Sequence, residues 1–407
     1  MTNDSQHDIV QSNEIIELLE TPEAQLFLNK YINERPENLA LTHSGKVNFN
    51  LPKLTQILHL YQKAQQKLPD WVTNRCALNS KSYAQSSHWE IAKYKSSLFS
   101  GTTLLDLTAG LGVDATYFAK SFKHVTALER DLETHQFARY NQKKLDSKNI
   151  EFIHADLDSF QFETSYDMIY LDPDRRPDDS RILGDFESYS PNIIEGHTKW
   201  LQHTNCLVIK LSPMVDLSLL QRTFPNARAL YVIGYKNEVK EVLIHLTNEV
   251  VDKTEIVSIN ITNSEVWRYS GGSITPKKAT RGQEPILLEP SKPLIKSGLS
   301  NQYCVAFGLS PIKTTGLYYI SDQQIENFDG RQFRIIEQLD ASIKEIKKSL
   351  KRRGIKAIEI AQRHFHDDVR TIRGKLKIKE GGNLSLHFTI DDNGKSKCFL
   401  TERIKVT

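Results

Sequence analysis

The sequence predicts an α/β protein whose central domain is built on a parallel, doubly wound sheet, with a helical region before it and an α+β module after it. Between about residues 100 and 250, short apolar runs alternate with amphipathic stretches, as buried parallel strands connected by helices do. Residues before this region space their apolar side chains three and four apart, which indicates helices. The last 75 residues alternate apolar and polar positions around one basic helix. The predicted domains are residues 1–98, 99–262, 263–328 and 329–407.

The individual elements follow from these patterns. The N-terminal helices are punctuated by Pro22, Pro36, Pro52 and Pro69. The central strands are expected in TLLDLTA, HVTALER, NIEFIHAD, YDMIYLDP, CLVIKLS, ALYVIGY and EVLIHLT. After a Gly-, Pro- and Lys-rich segment, strands are expected in ILLEP, QYCVAFG and GLYYIS. The C-terminal module is expected to combine the helix ASIKEIKKSLKRRG with an antiparallel sheet formed by QFRIIEQL, IKAIEIAQRHF, LSLHFTI and KCFLTERI.

Composition excludes several classes of protein. The chain has 407 residues, of which 39% are hydrophobic and 25% charged, and no apolar stretch approaches the roughly 20 residues that a membrane-spanning helix needs. The four cysteines lie far apart without a CxxC pair, which predicts neither a disulfide framework nor a zinc site, and no other metal site is expected. The polar, acidic start lacks the features of a signal peptide, so a cytoplasmic location is the expectation.

Charge is distributed unevenly along the chain. Residues 331–407 contain 19 Lys and Arg against 10 Asp and Glu, a net charge of +9, whereas residues 1–330 carry 34 against 40, a net charge of −6. A basic module of this kind attracts polyanions such as RNA. A solvated basic surface without a partner is the alternative.

Residues Asp106 to Gly112 read D-L-T-A-G-L-G, after a predicted strand and before a predicted helix. Glycines at 110 and 112 allow a tight turn and close approach of the backbone to a ligand at the helix N-terminus. A turn that binds nothing is the alternative reading. Asp106 argues against a dinucleotide loop, because such loops rarely begin with an acid.

Two further acids close the next two predicted strands. Glu129 is placed to accept the hydroxyl groups of a ribose, which suits either NAD or an adenosyl cofactor. Asp156 could accept an adenine amino group, although a helix cap would look the same. Open α/β sheets bind ligands at the carboxyl ends of their strands, so Asp106, Glu129 and Asp156 are expected at one site.

The fourth strand is followed by Leu171-Asp172-Pro173-Asp174-Arg175-Arg176-Pro177. Its carboxylate and arginines lie where a substrate would meet the cofactor, although a charged surface loop is the alternative. Lys210 ends the fifth strand on the same rim and could be structural.

These motifs together carry a resemblance to a known family. Their order resembles motifs one to four of the class I S-adenosylmethionine-dependent methyltransferases. More narrowly, the chain resembles bacterial methyltransferases that have a small ferredoxin-like insert and a C-terminal THUMP-like domain. The segments that carry the narrower resemblance are QSSHWEIAKYK, DLTAGLGVDA, YLDPDRRPD, IKLSPMVDL, KNEVKEVL and RGKLKIKEGGNLSLHF. The family usually has D-P-A-R-R, so Asp174 replaces a small residue, and the aromatic residue that follows D-P-P in many amine methyltransferases is missing.

The resemblance implies a Rossmann-like domain over residues 99–262, a ferredoxin-like domain within 263–328 and a basic THUMP-like domain over 329–407. It implies S-adenosyl-L-methionine as cofactor and RNA as the carrier of the methylated group. The residues implied to bind the cofactor are Asp106, Thr108, Ala109, Gly110, Gly112, Glu129, Arg130, Asp156, Leu157 and Asp172. Asp172, Pro173 and Arg175 are implied to be catalytic, and Arg176 and Lys210 to contact the substrate.

Other functions stay open at this point. One is an RNA-binding protein whose Rossmann-like domain no longer catalyses transfer. Another is a methyltransferase for protein or a small molecule, and a nicotinamide-dependent enzyme is more distant. The oligomeric state, the RNA class and the methylated atom do not follow from the sequence.

Overall fold

The computed structural model describes residues 13–175, 186, 189–263, 265–272 and 285–404. The chain forms two compact units. The first comprises Met1–Leu230 with Val242–Thr254, and the second comprises Tyr231–Glu241 with Glu255–Thr407. No helix in the described part of the chain combines the length and apolar character needed to cross a bilayer.

The first unit begins with the helical layer that the apolar spacing predicts. Prolines 22, 36, 52 and 69 each stand in the first turn of a helix, where the missing N–H costs no hydrogen bond. The helices are α1 (residues 13–20), α2 (Pro22–Tyr31), α3 (Pro36–His43), α4 (Leu51–Ala64), α5 (Pro69–Thr73), α6 (Ser80–Gln85) and α7 (Trp89–Ser97).

The alternation of strands and helices after residue 100 is confirmed. Its elements are β1 (Gly101–Asp106), α8 (Val113–Phe118), β2 (Phe122–Glu129), α9 (Leu132–Lys144), β3 (Ile150–His154), β4 (Met168–Leu171), β5 (Asp174–Arg175), β6 (Tyr189–Ser190), α10 (Ile193–Trp200), β7 (Leu207–Leu211), α11 (Leu217–Thr223), β8 (Ala227–Tyr235) and β9 (Glu238–Leu246). The hairpin of β8 and β9 is divided between the units, at Leu230 and at Val242.

In the first unit the strands lie in the order β3-β2-β1-β4-β7-β9. The first five are parallel, and β9 pairs antiparallel with β7. Buried apolar side chains along β1, β4 and β7 explain this parallel arrangement, because a sheet covered on both faces excludes water. Strands β2 and β3 lie on one side of β1, and β4 and β7 lie on the other side. The strand order therefore reverses between β1 and β4, which creates a crevice at the carboxyl ends of these two strands.

The helices and strands that follow β9 all lie in the second unit. They are β10 (Glu255–Ile261), β11 (Val266–Tyr269), β12 (Ile286–Pro290), α12 (Lys292–Lys296), α13 (Ser300–Ala306), β13 (Ser310–Pro311), β14 (Tyr319–Ser321), β15 (Gly330–Asp340), α14 (Ile343–Arg352), β16 (Glu359–Gln362), α15 (Val369–Leu376), β17 (Leu384–Ile390) and β18 (Ser396–Arg403).

Seven of these strands form one sheet in the order β13-β14-β12-β15-β18-β17-β16. The predicted antiparallel pairing holds except between β16 and β17, which are parallel. The basic helix α14 packs Ile346 and Leu350 into the core of this module, together with Ile372 of α15. The module is thus an α+β layer with an exposed basic face.

One predicted strand is wrong. The run QYCVAFG belongs to helix α13, whose buried residues Ser300, Tyr303 and Cys304 recur at helical spacing, with Phe307 buried just beyond its end. Val305 in the same run is exposed, so the segment has one apolar face rather than two.

Candidate active site

A cavity of about 370 Å³ opens at the carboxyl ends of the parallel strands in the first unit. Ligand pockets of small cofactors begin at roughly 300 Å³. Nine of the residues singled out from the sequence line it: Asp106, Thr108, Ala109, Gly110, Glu129, Arg130, Asp156, Leu157 and Asp172.

The loop after β1 needs glycine twice, for different reasons. Gly110 has φ +55° and faces open space, so its backbone is accessible from the cavity. Gly112 has φ +74°, and a Cβ there would lie 2.5 Å from the Phe152 ring. Gly112 therefore lets helix α8 start close to β3 and is not among the residues that line the cavity.

Glu129, the last residue of β2, is held by two backbone groups. The Gly110 N–H donates to Oε2 at 2.8 Å, and the Asp131 N–H donates to Oε1 at 2.7 Å. Burial raises the pKa of Glu129, although these two hydrogen bonds oppose the rise. Each carboxylate oxygen keeps a lone pair, so the group can still accept two hydroxyl donors.

Asp156 and Leu157 lie where β3 ends. Asp156 is exposed and accepts a hydrogen bond from the Asp158 N–H at 3.0 Å, so it does cap a short 3₁₀ turn. Both residues also line the cavity, which means that capping and ligand contact are compatible here.

Asp106 ends β1 and is 1% exposed. Its Oδ1 accepts one hydrogen bond, from the Thr108 N–H at 3.0 Å. Burial, with the nearby carboxylates of Asp114 and Asp172, raises the pKa of Asp106 to about 8, so its side chain is mostly protonated at neutral pH.

Asp172 follows β4 and forms a salt bridge with Lys210 of β7. Its backbone N–H donates to Thr108 Oγ1 at 2.7 Å, which fixes the Asp172 segment to the loop after β1. Burial raises the pKa of Asp172, although the Lys210 ammonium opposes the rise. Lys210 itself does not line the cavity.

The structure says less about three other predicted site residues, Pro173, Arg175 and Arg176. Pro173 is buried and is not part of the cavity lining. Arg175 forms strand β5 with its backbone, which pairs with Tyr189. Arg176 lies outside the described residues.

The sequence reasoning missed a buried polar network in the wall of the cavity, which Ser87, Asp114 and Tyr170 line. Lys95 of α7 is fully buried, and its ammonium lies 2.9 Å from Asp114 Oδ2, 3.0 Å from Tyr170 Oη and 3.1 Å from Ser87 Oγ. Tyr170 and Ser87 both donate to the same Asp114 oxygen, at 2.8 and 3.0 Å. Burial alone would raise the pKa of Asp114, but the ammonium groups of Lys95 and Lys210 bring it below its usual range.

One signal in the sequence could have revealed this network. Lys95 shares the buried face of α7 with Ile91 and Ala92, at positions where helical spacing requires apolar side chains. A lysine on such a face is rarely buried without a carboxylate partner. The partner, Asp114, looked like an ordinary acidic residue in the first turn of α8.

Among the residues that the structure describes, no group of three or more His, Cys, Asp or Glu side chains is arranged to hold a metal ion. The cavity is lined mainly by carboxylates, hydroxyl groups and backbone groups, and Lys95 and Lys210 pair with two of these carboxylates.

Two family models match parts of the chain. Residues 85–198 match the family described as ribosomal RNA adenine dimethylase, and residues 330–403 match the family described as THUMP domain-like. A curated relative, an uncharacterized RNA methyltransferase from Mycoplasma mobile, is 36% identical over 75 residues. That match covers 18% of this chain and spans about a fifth of the relative's length (21%).

A crystal structure of a provisionally assigned methyltransferase from Porphyromonas gingivalis W83 matches the whole fold. Its TM-score is 0.79 at 24% identity, covering 97% of this chain and 99% of that chain. The chain thus has the Rossmann-like α/β fold of class I methyltransferases. It carries a THUMP-like domain at its C-terminal end, and the resemblance drawn from the motifs is confirmed for the methyltransferase fold and the THUMP-like domain.

Proposed function

We propose that this protein is an S-adenosylmethionine-dependent methyltransferase that acts on RNA. The observation that carries the proposal is the cavity at the carboxyl ends of β1, β2 and β3, where Asp106, Glu129 and Asp156 lie beside the uncovered backbone of Gly110.

The residues of this cavity fit an adenosyl cofactor with an amino-acid end. Such a molecule presents a ribose diol, an ammonium group and a sulfonium, and all three are complemented by carboxylates. Glu129, oriented by two backbone N–H groups, is matched to the diol. Asp156 and Leu157 would hold the adenine, and Asp106, Thr108 and Gly110 would hold the amino-acid end.

The bound cofactor supplies a methyl group that is already activated, so the chain mainly has to align the acceptor with it. Asp172 is the group best placed to orient a donor N–H or O–H of the acceptor. Its backbone is tied to Thr108 and its carboxylate to Lys210, so both ends of the residue are fixed. The raised pKa of Asp172 also favours the acceptance of a proton.

RNA is the substrate class that the second unit favours. The chain has a THUMP-like domain, and its curated relative is described as an RNA methyltransferase. Helix α14 buries Ile346 and Leu350 and exposes its lysines to solvent, which suits contacts to phosphate groups. These lysines are Lys344, Lys347, Lys348 and Lys351.

The cofactor arm of the proposal is tested by calorimetric titration of the full-length protein with S-adenosylhomocysteine. We expect binding in the micromolar range, and a loss of about 10-fold or more in Glu129→Gln, because the amide replaces one acceptor oxygen by a donor. Glu151→Gln is the matched control, since Glu151 is exposed on the neighbouring strand β3. Absence of binding to the wild-type protein would overturn the proposal.

The RNA arm is tested by transfer of a radiolabelled methyl group to total RNA. RNA from a strain that lacks the gene should be labelled, and RNA from the parent strain, which is already modified, should not. Replacing the four exposed lysines of α14 by glutamine should weaken RNA binding and reduce its salt dependence. Lys30, Lys63, Lys123 and Lys143, four exposed lysines of the first unit, provide the matched control when they are replaced together. Label that appears in protein and resists ribonuclease would contradict RNA as the substrate.

A further inference from the structure

Ser87 lines the cavity and connects charged side chains that come from three different elements. Its Oγ lies 3.0 Å from Asp114 Oδ2 and 3.1 Å from the Lys95 ammonium. It also lies 3.4 Å from the Lys210 ammonium. Ammonium groups can only donate hydrogen bonds, and an ionised carboxylate can only accept them. The Ser87 hydroxyl group must therefore donate to Asp114 and accept from both lysines, which uses its one proton and its two lone pairs.

The position of Ser87 is fixed from the interior of the first unit. Tyr170 of β4 and Lys95 of α7 donate to the same Asp114 oxygen, at 2.8 and 2.9 Å. The Lys95 and Asp114 side chains are 0% and 9% exposed, so the surrounding protein leaves this buried network little freedom to rearrange. Ser87 therefore presents a fixed lone pair to Lys210.

Lys210 benefits from a fixed acceptor because its ammonium group stands at the end of a flexible side chain. The ammonium group forms a salt bridge with Asp172 Oδ2. The other carboxylate oxygen of Asp172 has no hydrogen-bond partner among the residues that the structure describes. The Asp172 side chain is 30% exposed and lines the cavity, so this second oxygen can accept an N–H or O–H from a ligand.

A second contact places the segment around Ser87 at the same end of the cavity. Gln85 Nε2 donates to Asp174 Oδ1 at 2.9 Å, and both residues line the cavity. Gln85 ends helix α6, and Ser87 lies between α6 and α7, so the N-terminal helical layer supplies part of the cavity wall. This part of the wall contacts residues that end β7 or follow β4. Glu129 and Asp156 lie on the other side of β1, where β2 and β3 end.

We propose that Ser87 is a positioning residue for methyl transfer, because it holds the Lys210 ammonium against Asp172 and thereby fixes the Asp172 oxygen that meets the acceptor group. This inference rests on the proposed function, which assigns Asp172 to the acceptor. Ser87 acts through Lys210 and is not assigned to the reacting atoms. Loss of its hydroxyl group should slow methyl transfer and leave cofactor affinity unchanged, since a small displacement of an orienting group can lower a rate by up to about 100-fold.

The experiment measures methyl transfer by full-length Ser87→Ala to RNA from the strain that lacks the gene. Rates are expressed per site that binds S-adenosylhomocysteine. We expect kcat to fall about 10-fold, whereas KM for S-adenosylmethionine and affinity for S-adenosylhomocysteine should change less than about 2-fold. Ser86→Ala is the matched control, because Ser86 lines the same cavity but donates to the backbone carbonyl of Tyr83 at 2.9 Å. Ser87→Thr keeps a hydroxyl group and should recover most of the rate.

A double-mutant cycle with Lys210→Met separates positioning from a purely structural role. If Ser87 acts through Lys210, Ser87→Ala should change kcat less than about 2-fold in the Lys210→Met background. A structural role alone would lower the free energy of unfolding, measured with urea, and would leave kcat per binding site unchanged.

An unchanged kcat in Ser87→Ala, or an equal fall of kcat with and without Lys210→Met, would overturn the inference while leaving the proposed function intact. Absence of methyl transfer to this RNA by the wild-type protein would overturn both. If Ser87→Ala does not fold, Ser87→Cys is measured in the same way. Its thiol fills a similar space but is a weak hydrogen-bond acceptor, so the same fall in kcat is expected.

Discussion

Two ion pairs, one in each unit, have similar distances between their charged atoms but differ in burial. Lys95 and Asp114 are 2.9 Å apart, and their side chains are 0% and 9% exposed. Arg334 and Glu402 are 3.1 Å apart, and their side chains are 49% and 47% exposed. The buried pair is removed from water and depends on Tyr170 and Ser87 for its remaining hydrogen bonds. The exposed pair keeps its hydration and is screened by salt.

This difference indicates where removal of a charge is expected to destabilise the fold. In the Lys95–Asp114 pair, hydrogen bonds fix the orientation of the buried charges, and removing one of them leaves the other uncompensated. In the exposed Arg334–Glu402 pair, each partner stays hydrated when the other is removed, so the pair is expected to contribute little to folding. The separation between the charged atoms does not distinguish the two cases, but burial does.

The largest effect is expected from Lys95→Met. This change leaves the Asp114 carboxylate buried without its cation, so the free energy of unfolding should fall by about 3–5 kcal/mol. Urea unfolding followed by circular dichroism measures this loss. The double variant Lys95→Met/Asp114→Asn should recover part of it, because both charges are then removed. A loss below about 1 kcal/mol in the single variant would show that the pair is unimportant for folding.

An intermediate effect is expected from Asp106→Asn, and it depends on pH. The pKa of Asp106 is about 8 in the folded protein, against about 3.9 in an unfolded chain, so the folded state binds the proton more tightly. The contribution of the protonated Asp106 to the free energy of unfolding is therefore fully present below pH 4, and it is lost as the pH rises towards 8. Relative to the wild type, the variant should gain about 2–3 kcal/mol in unfolding free energy between pH 5.5 and pH 8.5.

The stability of Asp106→Asn is measured by urea unfolding at the two pH values. Asp252→Asn is the matched control, because Asp252 is exposed in the same unit. The control should show no such gain. A constant difference between Asp106→Asn and wild type at both pH values would contradict the raised pKa of Asp106.

The smallest effect is expected from Arg334→Ala in the exposed pair. The free energy of unfolding should change by less than about 0.5 kcal/mol, because each partner of an exposed pair remains hydrated alone. Chemical unfolding at low and high salt measures it, and the difference between the two salt concentrations should be within error. A loss comparable to that of Lys95→Met would erase the distinction between the two regions.

The sequence predicts the fold of the first unit well, because the relevant signals are local. Runs of buried Val, Ile and Leu mark the parallel strands, and prolines mark the starts of four helices. An acid at the end of each of three neighbouring strands predicts that Asp106, Glu129 and Asp156 meet, and the structure places all three around one cavity. Their roles in binding stay predictions.

Other features depend on long-range contacts and could not be predicted in the same way. Lys95 meets Asp114 and Tyr170 across 19 and 75 residues of sequence, and no local pattern connects them. The segment that became α13 is a short apolar run, for which strand and helix patterns are hard to distinguish. Gly112 makes room for the ring of Phe152. This requirement was not predictable from local sequence either, because Phe152 lies on another strand, β3.

The division of the β8–β9 hairpin has a practical consequence for dissecting this gene. The chain leaves the first unit after Leu230, returns at Val242 and leaves again after Thr254. A stop codon after Thr254 would therefore yield a product that still carries Tyr231–Glu241, the strand halves of the other unit. An open reading frame starting at Glu255 would lack them. No single truncation separates the two units, so each half is best studied by point substitution in the intact polypeptide.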